Sequence, residues 1–233
     1  MTRRYYHPEL PANGGRIRLS EPESQHAVKV MRIQLGDVIE LFDGKGQQAA
    51  GRISEINRRY CDCLAEGPEA IDREPGRQLH LGIALPKPDR ARELIERLTE
   101  LGVKSVTPLV TSRTQRPPSA GLLDRLRRGS IEACKQSGRN LLIQINAPMS
   151  AADFVASCEA DVSRWMADQG GPAIASLMNT AGDQMVGAIG PEGGWTDEEL
   201  ALAKDSGFKL VSFGKRILRV ETAATLMAAR LLD

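Results

Sequence analysis

The chain has few cysteines, few aromatic residues and no long apolar run. No apolar stretch approaches the ~20 residues that a membrane-spanning helix needs, and residues 1–6 lack the apolar segment of a secretory signal peptide. The four cysteines show neither C-x-x-C spacing nor the nearby histidines of a zinc site. We therefore expect a cytoplasmic protein with free thiols, no metal site and no disulfide framework.

The net charge of the whole chain is also small, at +1. The charge is unevenly distributed along the chain. Residues 73–150 carry 14 Lys and Arg against 7 Asp and Glu, whereas residues 151–233 carry 7 Lys and Arg against 12 Asp and Glu. A local basic field can attract a polyanion such as RNA even when the total charge is near zero. A solvated helix face rich in arginine gives the same count, so charge alone leaves both interpretations open.

The first 75 residues combine a basic, aromatic start with short alternating segments. Cationic side chains beside aromatic rings, as in residues 3–7, suit phosphate contact and base stacking, although a first strand with exposed ends is the alternative. The alternation after Gly36 predicts a compact barrel of about five short antiparallel strands, a type of barrel that often binds RNA. Prolines and glycines among the charges of residues 66–78 predict a domain boundary near residue 75.

Residues 76–233 alternate apolar strands with amphipathic helices. This pattern is typical of a parallel α/β sheet with helices on both faces. The predicted strands are 79–85, 103–110, 141–145, 174–178, 185–189 and 210–213. The predicted helices are 90–101, 122–135, 151–158, 197–204 and 222–232. Thr196 with Glu199 matches a capping box, as does Ser20 with Glu23 before a short N-terminal helix.

Two glycine-containing stretches, 190–196 and 213–222, follow predicted strands. Glycine permits positive φ and lets a ligand approach backbone N–H and C=O groups. Because ligands bind at the carboxyl ends of strands in such sheets, these stretches predict a ligand site. Neither G-x-G-x-x-G nor G-x-x-x-x-G-K-[ST] is present, which argues against a dinucleotide fold and a phosphate-binding loop. For either stretch alone, an ordinary tight turn is the alternative.

Together the two stretches resemble a family signature. Ile189-Gly-Pro-Glu-Gly-Gly-Trp-Thr-Asp-Glu-Glu199, followed by Phe213-Gly-Lys-Arg-Ile-Leu-Arg-Val-Glu-Thr-Ala223, is similar to the RsmE-type 16S ribosomal RNA uridine methyltransferases of the SPOUT superfamily. The resemblance extends over the whole chain. Further matching segments are 20–32, 41–44, 85–90, 100–103 and 136–140.

The resemblance implies a PUA-like RNA-binding barrel over residues 1–75 and an α/β methyltransferase domain with a C-terminal trefoil knot over residues 76–233. It implies a homodimer that binds S-adenosylmethionine and methylates N3 of a uridine in 16S ribosomal RNA or the assembled small subunit. Two alternatives stay open. The chain could modify another RNA nucleotide, since the cofactor loops do not define the base, or it could bind RNA without catalysis.

The predicted site residues fall into three sets, of which the resemblance implies the first. The predicted cofactor contacts are Met178, Asn179, Gly190, Glu192, Gly193, Gly194, Leu218, Arg219 and Thr222. The predicted RNA contacts are Arg3, Arg4, Tyr6, Arg32 and Arg113. The predicted catalytic residues are Arg219 and Arg139, because a fixed guanidinium can stabilise the charge that develops on the uracil oxygens.

The roles of the charged residues are less defined than their positions. Each arginine could instead anchor a phosphate or a carboxylate. Glu192 and Glu221 could form an acid–base pair, or they could be structural and hold loop N–H groups or an arginine. No histidine lies near the motifs, so the sequence predicts no general base.

Overall fold

The chain folds into two units, and a computed structural model describes residues 3–57, 59–114, 117–159, 161–176 and 182–232. The first unit comprises Met1–Glu74 and Cys134–Leu142, and the second comprises Pro75–Ala133 and Ile143–Asp233. Within the described residues, no helix combines the length and the apolar character needed to cross a bilayer.

The first unit is built on a six-stranded sheet that encloses a small core. Its strands are β1 (Arg4–Tyr6), β2 (Gly15–Arg18), β3 (Val38–Phe42), β4 (Gln47–Ile56), β5 (Cys61–Ala65) and β6 (Glu69–Ala70). The order is β1-β3-β4-β5-β2, with β6 beside β4. Only β1 and β3 pair in parallel, and the other ladders are antiparallel. Burial raises the pKa of the Cys63 thiol to about 12, which fits a packing role for this cysteine.

The segment Cys134–Leu142 belongs to the first unit through backbone hydrogen bonds. Gly46 N–H donates to the Asn140 carbonyl at 3.1 Å, and Leu142 N–H donates to the Gly44 carbonyl at 3.0 Å. These bonds bracket the turn between β3 and β4. Residues distant in sequence therefore complete the hydrogen bonding of the small sheet.

The short helix of the first unit differs from its prediction. Helix α1 (Glu21–Gln25) continues as a π-helical turn over His26–Val30. The Ser20 hydroxyl accepts from Glu23 N–H at 3.4 Å, as a capping residue does. The Glu23 carboxylate, however, accepts from Lys135 Nζ at 2.9 Å instead of returning to the start of the helix. The predicted reciprocal capping box is therefore wrong, because a buried ammonium binds Glu23.

The second unit contains a seven-stranded sheet in which every ladder is parallel. Its strands are β7 (Gln78–Ile83), β8 (Ser105–Val110), β9 (Gln144–Ile145), β10 (Met149–Ser150), β11 (Ser163–Ala167), β12 (Gln184–Ile189) and β13 (Lys209–Val211). The order is β10-β8-β7-β12-β11-β13, with β9 beside β8.

Helices cover both faces of this sheet. They are α2 (Pro88–Glu100), α3 (Ala120–Ser137), α4 (Ala151–Ala156), α5 (Asp197–Asp205) and α6 (Val220–Leu231). Buried residues of α2, α3 and α6 share one apolar cluster with Met185 and Ile189 of β12. Buried residues of α4 and α5 share another with Val186 and Ala188. The alternation along β12 thus assigns successive side chains to opposite layers, as expected for a strand.

One predicted strand of the second unit was wrong, and strand β11 was missed. Ile174–Ser176 forms a turn of 3-10 helix, not the start of a strand. The strand β11 was not predicted, although it pairs with both β12 and β13. It begins with the polar residues Ser163 and Arg164, so only Trp165, Met166 and Ala167 carry the apolar signal, which is short for a buried strand.

Candidate active site

Three neighbouring strands end at one edge of the parallel sheet. In the register, Met166 lies opposite Ala188, and Ala167 lies opposite Val211, so the last residues of β11, β12 and β13 are aligned. The loops that follow these strands enclose a cavity of about 310 Å³. Its lining comes from residues 167–169, 189–195, 212–214 and 216–218, together with Val220 and Ala223 of α6.

The first glycine-rich loop is a tight turn packed against an indole. Gly194 has φ 73°, and its N–H donates to the Pro191 carbonyl at 2.8 Å. A Cβ on Gly190 would lie 2.8 Å from Cε2 of Trp195, so glycine is required there. The Trp195 Nε1–H donates to the Ala167 carbonyl at 3.0 Å. Trp195 therefore fastens the loop after β12 to the end of β11.

The start of α5 holds this loop from the other side. Glu199 Oε2 accepts from Thr196 N–H at 2.9 Å, and the Thr196 hydroxyl accepts from Glu199 N–H at 3.2 Å, which confirms the predicted capping box. Glu199 Oε1 also accepts from Ser112 N–H at 2.9 Å. Arg113 donates from Nη1 to the Gly193 carbonyl. The loop after β8 is thus attached to the glycine-rich loop.

The second loop joins β13 to α6. Gly214 has φ 104°, a conformation that side chains rarely adopt. Leu218 packs against the large apolar cluster and lines the cavity. Helix α6 begins after Arg219, whose side chain makes no capping hydrogen bond. The N–H groups of the first helical turn are therefore without a side-chain cap beside the cavity.

One arginine lies between the two loops. Arg90 Nη2 is 3.6 Å from Glu192 Oε1, and Arg90 Nη1 is 3.5 Å from Glu221 Oε1. The Glu192 side chain is 59% exposed, whereas that of Glu221 is 8% exposed. Among the described residues, the other oxygen of Glu221, Oε2, has no hydrogen-bond partner. The sequence left these glutamates either an acid–base role or a structural role that includes binding an arginine. The geometry matches the contact with an arginine.

The predicted cofactor residues divide into three groups. The cavity lining includes Gly190, Glu192, Gly193, Gly194 and Leu218. Arg219 and Thr222 are exposed residues at the start of α6 and are not in the lining. Met178 and Asn179 lie outside the described residues. Contact with a cofactor stays a prediction for all nine.

Sequence reasoning missed the contribution of residues 167–169 to the lining, because it missed strand β11. A signal was available in Trp165-Met166-Ala167, three residues that precede Gly170-Gly171. An apolar run that ends at a glycine turn is the same pattern that identified the loop after β12.

Two arginines with predicted functional roles already form hydrogen bonds and ion pairs within the first unit. Arg139 has a buried side chain, and its Nη2 donates to Glu74 at 2.6 Å. Arg4 is also buried; its Nε donates to Glu40 at 2.6 Å, and its Nη1 donates to the Arg139 carbonyl at 3.0 Å. Burial lowers the pKa of Arg4 despite Glu40. These contacts favour structural roles, and the predicted catalytic role of Arg139 and RNA contact of Arg4 stay predictions.

The other predicted RNA contacts are more accessible. Arg3 is half-buried and pairs with Asp37. Tyr6 packs against Phe42, with ring centroids 5.4 Å apart. Arg32 is exposed and has φ 49°, the only positive φ outside glycine among the described residues. Arg113 is exposed beside the glycine-rich loop. Their contact with RNA stays a prediction.

Comparison with known proteins identifies the family. The sequence profile of an RNA methyltransferase domain matches residues 73–232, and that of an RNA methyltransferase PUA domain matches residues 19–66. The ribosomal RNA small subunit methyltransferase E of Synechocystis is 34% identical over 220 residues, covering 92% of this chain and 72% of that protein. The chain belongs to the ribosomal RNA small subunit methyltransferase E family.

Solved structures agree with membership of the methyltransferase E family. The ribosomal RNA small subunit methyltransferase E of Neisseria gonorrhoeae, solved bound to S-adenosyl methionine, is 27% identical, with a TM-score of 0.90 over 98% of this chain and 96% of that one. A Legionella pneumophila protein solved with bound cofactor SAM is 28% identical, with a TM-score of 0.93 over 99% of this chain and 97% of that one. The family predicted from the two glycine-containing stretches is confirmed, as is a parallel α/β fold with a PUA domain.

Proposed function

We propose that the protein transfers the methyl group of S-adenosylmethionine to N3 of a uridine in 16S ribosomal RNA. The observation that carries this proposal is the cavity that two glycine-containing loops form at the ends of three parallel strands. Membership of the methyltransferase E family supports the choice of small-subunit ribosomal RNA. The relatives solved with this cofactor support its assignment to the cavity.

The residues present fit the cofactor. At about 310 Å³, the cavity lies at the lower end of the range for small-molecule sites. Ile189, Leu218, Val220 and Ala223 provide an apolar wall for a flat purine. The glycine-rich turn exposes backbone N–H and C=O groups that can bind adenine and ribose. When bound, S-adenosylmethionine supplies a methyl group on a positively charged sulfur.

The assigned cofactor residues follow from this fit. Gly190, Glu192, Gly193, Gly194 and Leu218 line the cavity, and Arg219 and Thr222 complete the second loop at the start of α6. We also assign Met178 and Asn179 from the family resemblance. The charged residues of the lining are Asp168, Glu192 and Arg216.

The reaction requires uracil N3 to lose its proton to solvent before or during its attack on the methyl carbon. The N–CH₃ bond forms as the C–S bond breaks, which leaves neutral S-adenosylhomocysteine. Until the methyl group is transferred, the negative charge is spread over the two uracil oxygens, where a guanidinium can stabilise it. We assign this role first to Arg219, because its guanidinium has no hydrogen-bond or ion-pair partner in the described part of the chain and is exposed. Arg139 is the second candidate, since Glu74 already occupies its guanidinium.

The proposal extends to the organisation of the protein. We assign residues 1–75 to an RNA-binding PUA-like domain, which Cys134–Leu142 completes, and the rest of residues 76–233 to the methyltransferase domain with a trefoil knot. Arg3, Arg4, Tyr6, Arg32 and Arg113 contact the RNA. The protein acts as a homodimer on the small subunit in the cytoplasm, where its substrate lies. The family resemblance supports these assignments, and light scattering of the purified protein tests the dimer.

Primer extension tests the function directly, because methylation of N3 blocks Watson–Crick pairing and stops reverse transcriptase. Small subunits from a strain that lacks the gene are incubated with the protein and S-adenosylmethionine. We expect one new stop at a uridine, and no stop without cofactor. A stop at another base would reject the uridine assignment. If no methyl group is incorporated into any RNA, the proposed methyltransferase activity is rejected.

A further inference from the structure

The first unit contains a second cavity, of about 330 Å³, that shares no lining residue with the proposed cofactor site. Four cationic side chains line it, against one carboxylate: Arg3, Arg4, Arg73 and Lys135, with Glu40. Tyr5 and His26 also line this cavity. A concave site with so many cations suits an anionic ligand.

Three of the four cations already have carboxylate partners in the same unit: Arg3 pairs with Asp37, Arg4 with Glu40, and Lys135 with Glu23. Arg73 differs from them. Its Nη1 donates to Gln48 Oε1 at 2.9 Å and to the Gly138 carbonyl at 2.8 Å, both neutral acceptors. Within the described residues it has no carboxylate partner, so its positive charge is not neutralised locally.

Tyr5 supplies a second, independent observation. Its ring is buried against His26 and lies 5.7 Å from Lys135 Nζ. Its hydroxyl is buried and has no hydrogen-bond partner among the described residues. Burial raises the pKa of this hydroxyl to about 12, so it keeps its proton and can donate at neutral pH. A buried hydroxyl without a partner is unfavourable unless a ligand or water satisfies it.

We propose that this cavity binds a phosphate group of the RNA chain, with Arg73 and the Tyr5 hydroxyl as its donors. Arginine matches the geometry of phosphate oxygens and is the cation here with N–H groups to spare. The choice of RNA as the source of the phosphate rests on the proposed function.

The test uses the full-length protein and a short fluorescent single-stranded RNA, with binding measured by anisotropy at several salt concentrations. Tyr5→Phe removes only the hydroxyl, and Arg73→Gln removes the unneutralised charge. We expect each to weaken RNA binding about 10- to 100-fold, the usual effect of one charge-assisted hydrogen bond. Because the Tyr5 hydroxyl has no hydrogen-bond partner in the described part of the protein, the thermal midpoint of Tyr5→Phe should not fall.

Arg52→Gln is the matched control. Arg52 is an exposed arginine of the same unit whose Nη1 also donates to a backbone carbonyl, that of Gly36, at 2.8 Å, but it does not line the cavity. We expect its loss to change RNA affinity less than about twofold. An equal loss in Arg52→Gln and Arg73→Gln would indicate diffuse charge attraction and overturn the proposal. Unchanged RNA affinity in Tyr5→Phe and Arg73→Gln would overturn it as well.

Two further measurements separate the sources of phosphate and the two proposals. Uridine 5′-monophosphate and inorganic phosphate are used as competitors, and either binding as tightly as the RNA would overturn the assignment to an RNA chain. S-adenosylmethionine binding is measured calorimetrically on every variant, and we expect it to equal that of the unaltered protein. If the unaltered protein binds RNA at the cavity but transfers no methyl group, the proposed function fails while the phosphate site stands.

Discussion

Arg90 and Glu221 form an ion pair with 3.5 Å between Nη1 and Oε1, and the same guanidinium reaches Glu192 at 3.6 Å. Arg90 lies in the first turn of α2, where a cation is unfavourable beside the positive end of the helix dipole. The two carboxylates offset that cost. Glu192 belongs to the loop after β12, and Glu221 lies in the first turn of α6, directly after the second loop, so one side chain connects both halves of the site.

Replacing Arg90 should therefore affect both loops. In Arg90→Gln the buried Glu221 carboxylate loses its ion-pair partner, and we expect a loss of about 1–2 kcal/mol in unfolding free energy, since the pair is partly solvated. We expect S-adenosylmethionine to bind ~10-fold more weakly, because the loops are no longer held together. Calorimetric titration and urea unfolding measure the two effects.

Arg92→Gln is the control for this prediction. Arg92 is an exposed residue of the same helix that pairs with Glu96 at 2.9 Å, so its loss removes an equal charge without touching the loops. Arg90→Lys should recover part of the cofactor affinity. Equal affinities in Arg90→Gln and the unaltered protein would show that the loops hold their positions without Arg90.

Gly190→Ala tests the contact with Trp195. The added Cβ would lie 2.8 Å from the indole, which must move and give up its hydrogen bond to the Ala167 carbonyl. We expect a destabilisation of about 1–3 kcal/mol from overpacking, together with loss of measurable cofactor binding. Gly121→Ala serves for comparison, because nothing lies within 4 Å of its added Cβ. A fully stable Gly190→Ala that binds cofactor would contradict the requirement for glycine.

Arg219→Ala tests the assignment to catalysis. We expect kcat for RNA methylation to fall ~100-fold, the scale for loss of one oxyanion-stabilising donor, while the cofactor dissociation constant changes little. Arg230→Ala, an exposed arginine at the other end of α6, is the comparison and should be active. A loss of cofactor affinity in proportion to the loss of rate would instead make Arg219 an anchor of the loop.

Arg32 separates backbone strain from RNA contact. At φ 49° a non-glycine residue costs ~1 kcal/mol, so Arg32→Gly should raise the unfolding free energy by up to that amount, whereas Arg32→Ala should not. Both variants remove the guanidinium, and both should weaken RNA binding equally if Arg32 contacts a phosphate. Thermal unfolding and anisotropy measure the two properties. Unequal RNA affinities would show that backbone conformation, not charge, controls binding at this position.

His80 predicts how stability depends on pH. Burial, followed by the charge of Lys104, lowers the pKa of His80 in β7 below 6.5. As the pH falls below about 6.5, the unfolded chain takes up a proton that the folded chain refuses, so stability falls. His80→Gln should remove this part of the loss between about pH 6.5 and the lower folded pKa. Urea unfolding across this range measures it, and identical pH profiles would contradict the assignment.

Local signals in the sequence were enough for much of the second unit. The Thr196–Glu199 capping box depends only on two residues three positions apart. The strand at 185–189 was predicted from a continuous apolar run before a glycine. The two glycine-containing stretches identified the family because their residues resemble its signature. Their meeting around one cavity required only that parallel strands end at the same edge of a sheet.

Contacts between distant residues needed the tertiary structure. Glu23 matches a capping residue locally, but Lys135, 112 positions away, binds its carboxylate. Arg4 was predicted to meet RNA, yet the Arg139 carbonyl and Glu40 take up its guanidinium. Strand β11 is stable because it lies between β12 and β13, not because of its own propensity.

Local patterns of residues along the chain thus identified the family, the parallel α/β class and the two loops of the site. The three-dimensional fold was needed to show that Arg90 pairs with Glu192 and Glu221, that Trp195 packs against Gly190, and that Arg73 and Tyr5 line one cavity. One cause applies to all three. Ion pairing, close packing and burial depend on distances across the fold, which no spacing along the chain encodes.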